Sequence, residues 1–151
     1  MTDLSIRVMK YQENKESYKL GILSIYINFI YIITTLNHIT PNYILGTFTL
    51  VEISLSLLTF LACSKVKVYS EKWSYYLIGF GGYQFLKILT FPIKALGEGE
   101  VSYFRTALIL ALISSGVAIY AGIVGVKKSR QLREYLIYEQ EELEKEQAGN
   151  K

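Results

Sequence analysis

The chain has 151 residues, of which 51% are hydrophobic and 19% charged, with a net charge of +3 and a mean hydropathy of +0.26. That is room for one domain, with a composition high for a soluble protein and ordinary for a membrane protein. A single cysteine, Cys63, excludes an internal disulfide framework or a CxxC site, and a single histidine, His38, excludes a His-rich metal centre or a two-histidine haem site within one subunit.

Residues 1–19 are polar and mixed in charge. Leu4, Val8 and Tyr11 fall at helical spacing, which reads as a short interfacial helix or a tail. Asp3, Glu13 and Glu16, with no small-residue cleavage site after the first apolar run, argue against a signal peptide, so that run is expected to be retained. Four apolar windows follow, approximately Leu20 to Leu36, Tyr43 to Cys63, Ser74 to Leu96 and Phe104 to Val126. Each is about 20 residues, the length a helix needs to cross roughly 30 Å of hydrocarbon.

Lys and Arg in the flanks set the expected orientation. Arg7, Lys10, Lys15 and Lys19 precede the first window, Lys65, Lys67 and Lys72 separate the second and third, and Lys127, Lys128, Arg130 and Arg133 follow the fourth. The other side has only Lys94 and Arg105, accompanied by Glu98 and Glu100. The expected fold is therefore all-α: an integral membrane four-helix bundle over residues 20–126, multi-pass, with both termini cytoplasmic. Tyr18, Tyr43, Tyr69, Trp73, Tyr75 and Tyr103 lie near the window ends, where amphipathic rings favour the headgroup level.

Polar residues inside the windows are not scattered. Ser24, Asn28, Tyr31, Thr35 and His38 share one face of the first helix. Thr49, Glu52, Ser56, Thr59 and Cys63 share one face of the second, and Tyr76, Tyr83, Gln84, Lys87, Thr90 and Lys94 form a stripe on the third. Lipid offers such groups no partner, so the three seams are expected to face each other. A lysine at mid-span costs roughly 2.5 to 3.5 kcal/mol and calls for a counter-charge. Counting from the outer ends puts Asn28, Glu52 and Lys87 at one depth, roughly 12 to 14 Å below the boundary. The expectation is an intramembrane Glu52–Lys87 pair, with Asn28, Tyr31, Tyr83 and Gln84 meeting the remaining hydrogen-bonding groups.

The fourth window carries a ridge of small residues, Ala107, Ala111, Ser115, Ala118 and Gly122, that lets another backbone come close. Gly79, Gly81 and Gly82 read as a complementary close crossing in the third, and Pro92 as a kink near that helix's outer end. Cys63 reads as a small packing residue, and His38 as a hydrogen-bonded interfacial side chain.

After Val126 the chain turns basic for one or two turns and then acidic. The basic residues are expected at the phospholipid surface, with residues 127–147 a cytoplasmic amphipathic helix continuing from the fourth span and 148–151 a disordered tail. Leu132, Leu136 and Leu143 form an apolar strip that calls for a protein partner, another copy or a larger membrane complex. No nucleophile, base and orienting group occur at spacings that build an active site, so no enzyme, cofactor or metal is expected, and no basic surface is organised for nucleic acid. The expected role is an accessory or oligomeric assembly subunit of a membrane, and the alternative a small transporter or channel subunit using the Glu52–Lys87 site.

Overall fold

The computed structural model describes residues 13–40 and 42–149, and the side chains of all these except 142–144 and 146–149; the interfacial helix expected at the N-terminus lies largely outside that range. Every regular element among the described residues is helical. Helix α1 spans Lys15–His38, α2 Tyr43–Lys67, α3 Glu71–Leu86, α4 Phe91–Gly97 and α5 Val101–Gly149. α1, α2 and the part of α5 from Val101 to Glu141 are long and apolar enough to cross a membrane, which is compatible with a multi-pass membrane protein.

Local chemistry sets the boundaries. The Asn14 side chain caps α1 by accepting from the Ser17 amide at 3.4 Å, so the helix begins five residues before the apolar window. Asn42 caps α2 in the same way, accepting from the Leu45 amide at 2.8 Å. α2 ends in a Schellman turn: the Ser70 amide bonds the Lys65 carbonyl and the Tyr69 amide that of Val66, with Tyr69 at φ 60° in the place usually taken by glycine. At the far end α5 remains helical through Ala148 and Gly149, two residues expected in the tail, while 150 and 151 lie outside the described residues.

The third window departs most from expectation. Instead of one helix from Ser74 to Leu96, α3 gives way at Lys87 to a 3₁₀ turn over Lys87–Leu89, and α4 starts afresh at Phe91. Proline fits the first turn of a helix, where its missing N–H costs no bond, so Pro92 opens a new helix rather than bending the old one. Thr90 closes the break: its amide and its Oγ1 both donate to the Lys87 carbonyl, at 3.1 and 2.5 Å.

α5 packs along both α1 and α3, α2 lies against α1 and α3, and α4 rests on α5. At α3–α5 the backbones nearly touch. A Cβ on Gly81 would come within 2.6 Å of Ile119 and 2.9 Å of the Ser115 carbonyl, and one on Gly122 within 2.5 Å of Ile78 and 2.7 Å of the Ser74 carbonyl. Of the three α3 glycines expected at a crossing, only Gly81 is there; Gly79 and Gly82 face open space. Ala107, Ala111 and Ala118 on the ridge are fully buried, as is Ser115 but for 4%.

Two apolar clusters hold the interior. One joins Tyr31, Ile32, Ile88, Ala95, Tyr103 and Ala107 toward the α1–α2 connection, and the other joins Ile25, Ala62, Cys63, Val66, Leu77 and Ala121 toward the end where α1 begins. That second end is closed by ion pairs. Glu13 meets Lys67 at 3.0 Å, Glu16 meets Lys128 at 2.6 Å, and Glu71 takes Arg130 Nε at 2.8 Å and also binds Arg133. Three of the four basic residues assigned to the lipid surface, Lys128, Arg130 and Arg133, are thus engaged by acidic side chains.

Candidate functional site

Between the two apolar clusters lies a polar layer built by three segments. α1 supplies Asn28, α2 supplies Glu52 and Ser56, and the α3 end with its 3₁₀ turn supplies Tyr83 and Lys87. Each sits where its seam turns inward; Asn28 and Glu52 are fully buried and Lys87 is 2% exposed.

The Glu52 carboxylate is bonded on both oxygens. Oε1 accepts from the Tyr83 hydroxyl at 2.6 Å, and Oε2 accepts from Asn28 Nδ2 at 3.0 Å and from Lys87 Nζ at 3.5 Å. Asn28 bridges the two charges: its Oδ1 accepts from Lys87 Nζ, while Nδ2 also donates to Ser56 Oγ at 3.0 Å. The ammonium lies 3.9 Å from the Tyr31 ring centroid, within cation–π range. An ammonium has three protons to place, and here it has two oxygen acceptors and an aromatic face. The opposite charges cancel locally, the arrangement that makes burial of either tolerable.

Two residues expected to serve this layer do so only in part or not at all. Gln84 is fully buried, yet neither its amide nitrogen nor its oxygen has a hydrogen-bond partner. It continues the row of Ser74 and Gly81 that meets α5, where the facing ridge is mostly alanine. Tyr31 contributes its ring, but its hydroxyl bonds nothing at ordinary geometry.

Serines supply contacts that the sequence did not announce. Ser24 Oγ donates to the Ser114 carbonyl at 3.0 Å and Ser114 Oγ to the Ser24 carbonyl at 3.1 Å, a reciprocal stitch between α1 and α5. Ser17 Oγ reaches the Ala121 carbonyl at 2.6 Å, and Ser115 Oγ the Gly81 carbonyl at 2.7 Å. Periodicity marked Ser24 and Ser115 as inward-facing, but carried no information about which carbonyl each would find. At the other end His38 stacks on Tyr103 with ring centroids 5.2 Å apart, Tyr103 donates to Thr35 Oγ1 at 3.1 Å, and His38 Nδ1 bonds the Thr34 carbonyl at 2.9 Å.

The remaining expected site residues lie on α5 beyond the packed region. Leu132 is half-buried and Leu136 is 36% exposed, while Leu143 follows on the same helix. No family model, curated protein or solved structure matches the chain.

Proposed function

We propose that the chain is an integral membrane protein of four passes, a four-helix bundle with both termini cytoplasmic, that acts as an accessory or assembly subunit. The membrane placement is supported by an inverted polarity. Asn28, Glu52, Ser56, Thr59, Gln84 and Ser114 are buried, while Ile33, Leu50, Leu57 and Ile123 are 51 to 68% exposed. A chain folding in water would place those two sets the other way round. A fourth pass is supported by the burial of Gln84 and Lys87 in the broken third segment, although Thr90 and Lys94 of the expected inward stripe are exposed, and the excess of Lys and Arg at the end where α1 begins supports the orientation.

One observation carries the assembly reading: α5 continues as an unbroken helix well beyond the ion-paired end and exposes Leu136 and, at 51%, Ile137 there. Isolated helices of that length are marginal in water unless an apolar face is covered. The buried pair fits the same reading, because a neutralised, fully bonded pair fixes which helices meet. Native mass spectrometry of the full chain and of a chain ending after Gln131 tests it. The full chain should form a defined oligomer or hold a larger membrane partner, and the shortened chain should be a folded monomer. Full-length protein that remains a lone monomer overturns the reading.

A second reading, a small transporter or channel subunit, is favoured by Gln84, whose unsatisfied amide lies one turn from Lys87. It requires a flux that Glu52→Gln abolishes while the fold is kept.

A further inference from the structure

A groove of about 360 Å³ runs between α3 and α5 near the ion-paired end. Its floor is apolar, formed by Ile78 on α3 and by Ile123 and Val126 on α5; its rim is polar, with Lys127, Gln131 and Glu134. The rim and floor follow one face of α5, so moving from Ile123 to Glu134 climbs about 16 Å along the axis, from the apolar part of the helix into its charged part.

The rim holds unmet valences of both kinds. Arg130, which also lines the groove, is taken up by Glu71 at 2.8 Å and by the Tyr75 hydroxyl at 2.5 Å. Lys127 has no acidic partner among the described residues, although Lys128, Arg130 and Arg133 beside it all do. Glu134 makes no ion pair among the described residues, and Gln131 Oε1 is buried with no donor. The groove therefore offers an apolar slot, one uncompensated cation next to it, and two acceptors farther from the apolar end.

We propose that this groove binds a phospholipid whose phosphate adjoins a hydrogen-bond-donating ammonium, the phosphatidylethanolamine class. An acyl chain lies along Ile78, Ile123 and Val126. The phosphate takes Lys127, with Arg130 adding positive potential, and the ammonium donates to Gln131 Oε1 and Glu134. A purely anionic headgroup such as phosphatidylglycerol satisfies the lysine, and its hydroxyls can donate to Gln131, but it brings no cation to the Glu134 carboxylate and meets it as a like charge. A trimethylated choline headgroup has the right charges and no N–H to give.

This inference rests on the membrane placement proposed above, and the test separates the two. The full chain is reconstituted in vesicles containing phosphatidylethanolamine, phosphatidylcholine and phosphatidylglycerol in equal amounts, then released into native mass spectrometry, and retained lipids are counted. Wild type should keep phosphatidylethanolamine about tenfold over phosphatidylcholine, the scale of one charge-assisted hydrogen bond. Lys127→Gln should lower retention of both, and Glu134→Gln should reduce the preference for the ethanolamine lipid; both positions are exposed, so neither change threatens folding. Equal retention of the two zwitterionic lipids, preference for phosphatidylglycerol, or indifference to Lys127→Gln overturns the lipid assignment alone. A wild-type chain that stays dissolved without detergent and fails to enter vesicles overturns the membrane placement and the lipid assignment with it.

Discussion

Removing either Glu52 or Lys87 leaves the other charge in a site built to neutralise it, with no water to take over. Breaking a buried pair from one side destabilises by about 3 to 5 kcal/mol, whereas replacing both partners with neutral groups of similar volume is often close to neutral. Glu52→Gln and Lys87→Met made singly should therefore each lower stability by that order in a denaturant titration of the detergent-solubilised protein, and the double variant should recover most of the loss. Single losses that simply add in the double variant would show that the two groups are not coupled. Glu71 belongs to a different environment, outside the spans. Its hydrogen bond with Arg130 holds its carboxyl below the usual carboxylate range, with the Arg133 charge adding to the effect and partial burial opposing it. A depressed folded-state value stabilises the folded protein at pH above the ordinary carboxylate range, and that stabilisation disappears as pH falls through the lowered value. Melting curves of wild type and Glu71→Gln should differ at neutral pH and converge in acid. At this scale the sequence was informative about inward direction and relative height, since Asn28, Glu52 and Lys87 meet in one buried layer. It expected hydrogen bonds from Tyr31 and Gln84, whereas Tyr31 offers Lys87 its ring and Gln84 has no partner, because those outcomes depend on the exact rotation of each helix rather than on spacing.

The elements differ in how closely they tolerate one another. Gly81 and Gly122 sit where a Cβ would press on backbone carbonyls, at 2.9 and 2.7 Å. Gly81→Ala should thus cost about 1 to 3 kcal/mol, the usual range for overpacking. Gly79→Ala, two residues away on the opposite face of the helix and facing open space, should be neutral or gain up to about 1 kcal/mol from helix propensity. Thermal unfolding of the two variants side by side checks this, and equal losses would mean that the close crossing is not the reason for Gly81. Helix existence was legible from apolar length, and the small-residue ridge of α5 from its spacing. The break after Leu86 was not, because apolar length favours an uninterrupted helix through Lys87, and only the placement of Pro92 in the first turn of α4 decides where the chain restarts. Which of three neighbouring glycines meets α5 was equally hidden: one residue's shift in register exchanges them.

Among the described residues, ion pairs tie separate helices together at two levels. The mid-layer pair ties α1, α2 and the Lys87 turn, while the Glu13, Glu16 and Glu71 pairs tie the start of α1, the α2–α3 connection and α5 at one end. Flank composition revealed where the cations gather, but not that acids from distant segments would claim Lys67, Lys128, Arg130 and Arg133. The broken third segment has a further consequence, for the order in which the protein is made. α1, α2 and α5 each have the length and hydropathy to leave an insertion channel sideways by partition alone, and α3, with 16 residues followed by the Lys87 turn, does not. Its partner Glu52 emerges from the ribosome before it and the alanine-rich face of α5 after it. In the four-pass arrangement proposed above, the third segment therefore waits at the channel until its successor has been synthesised, and enters the lipid with that successor as a hairpin.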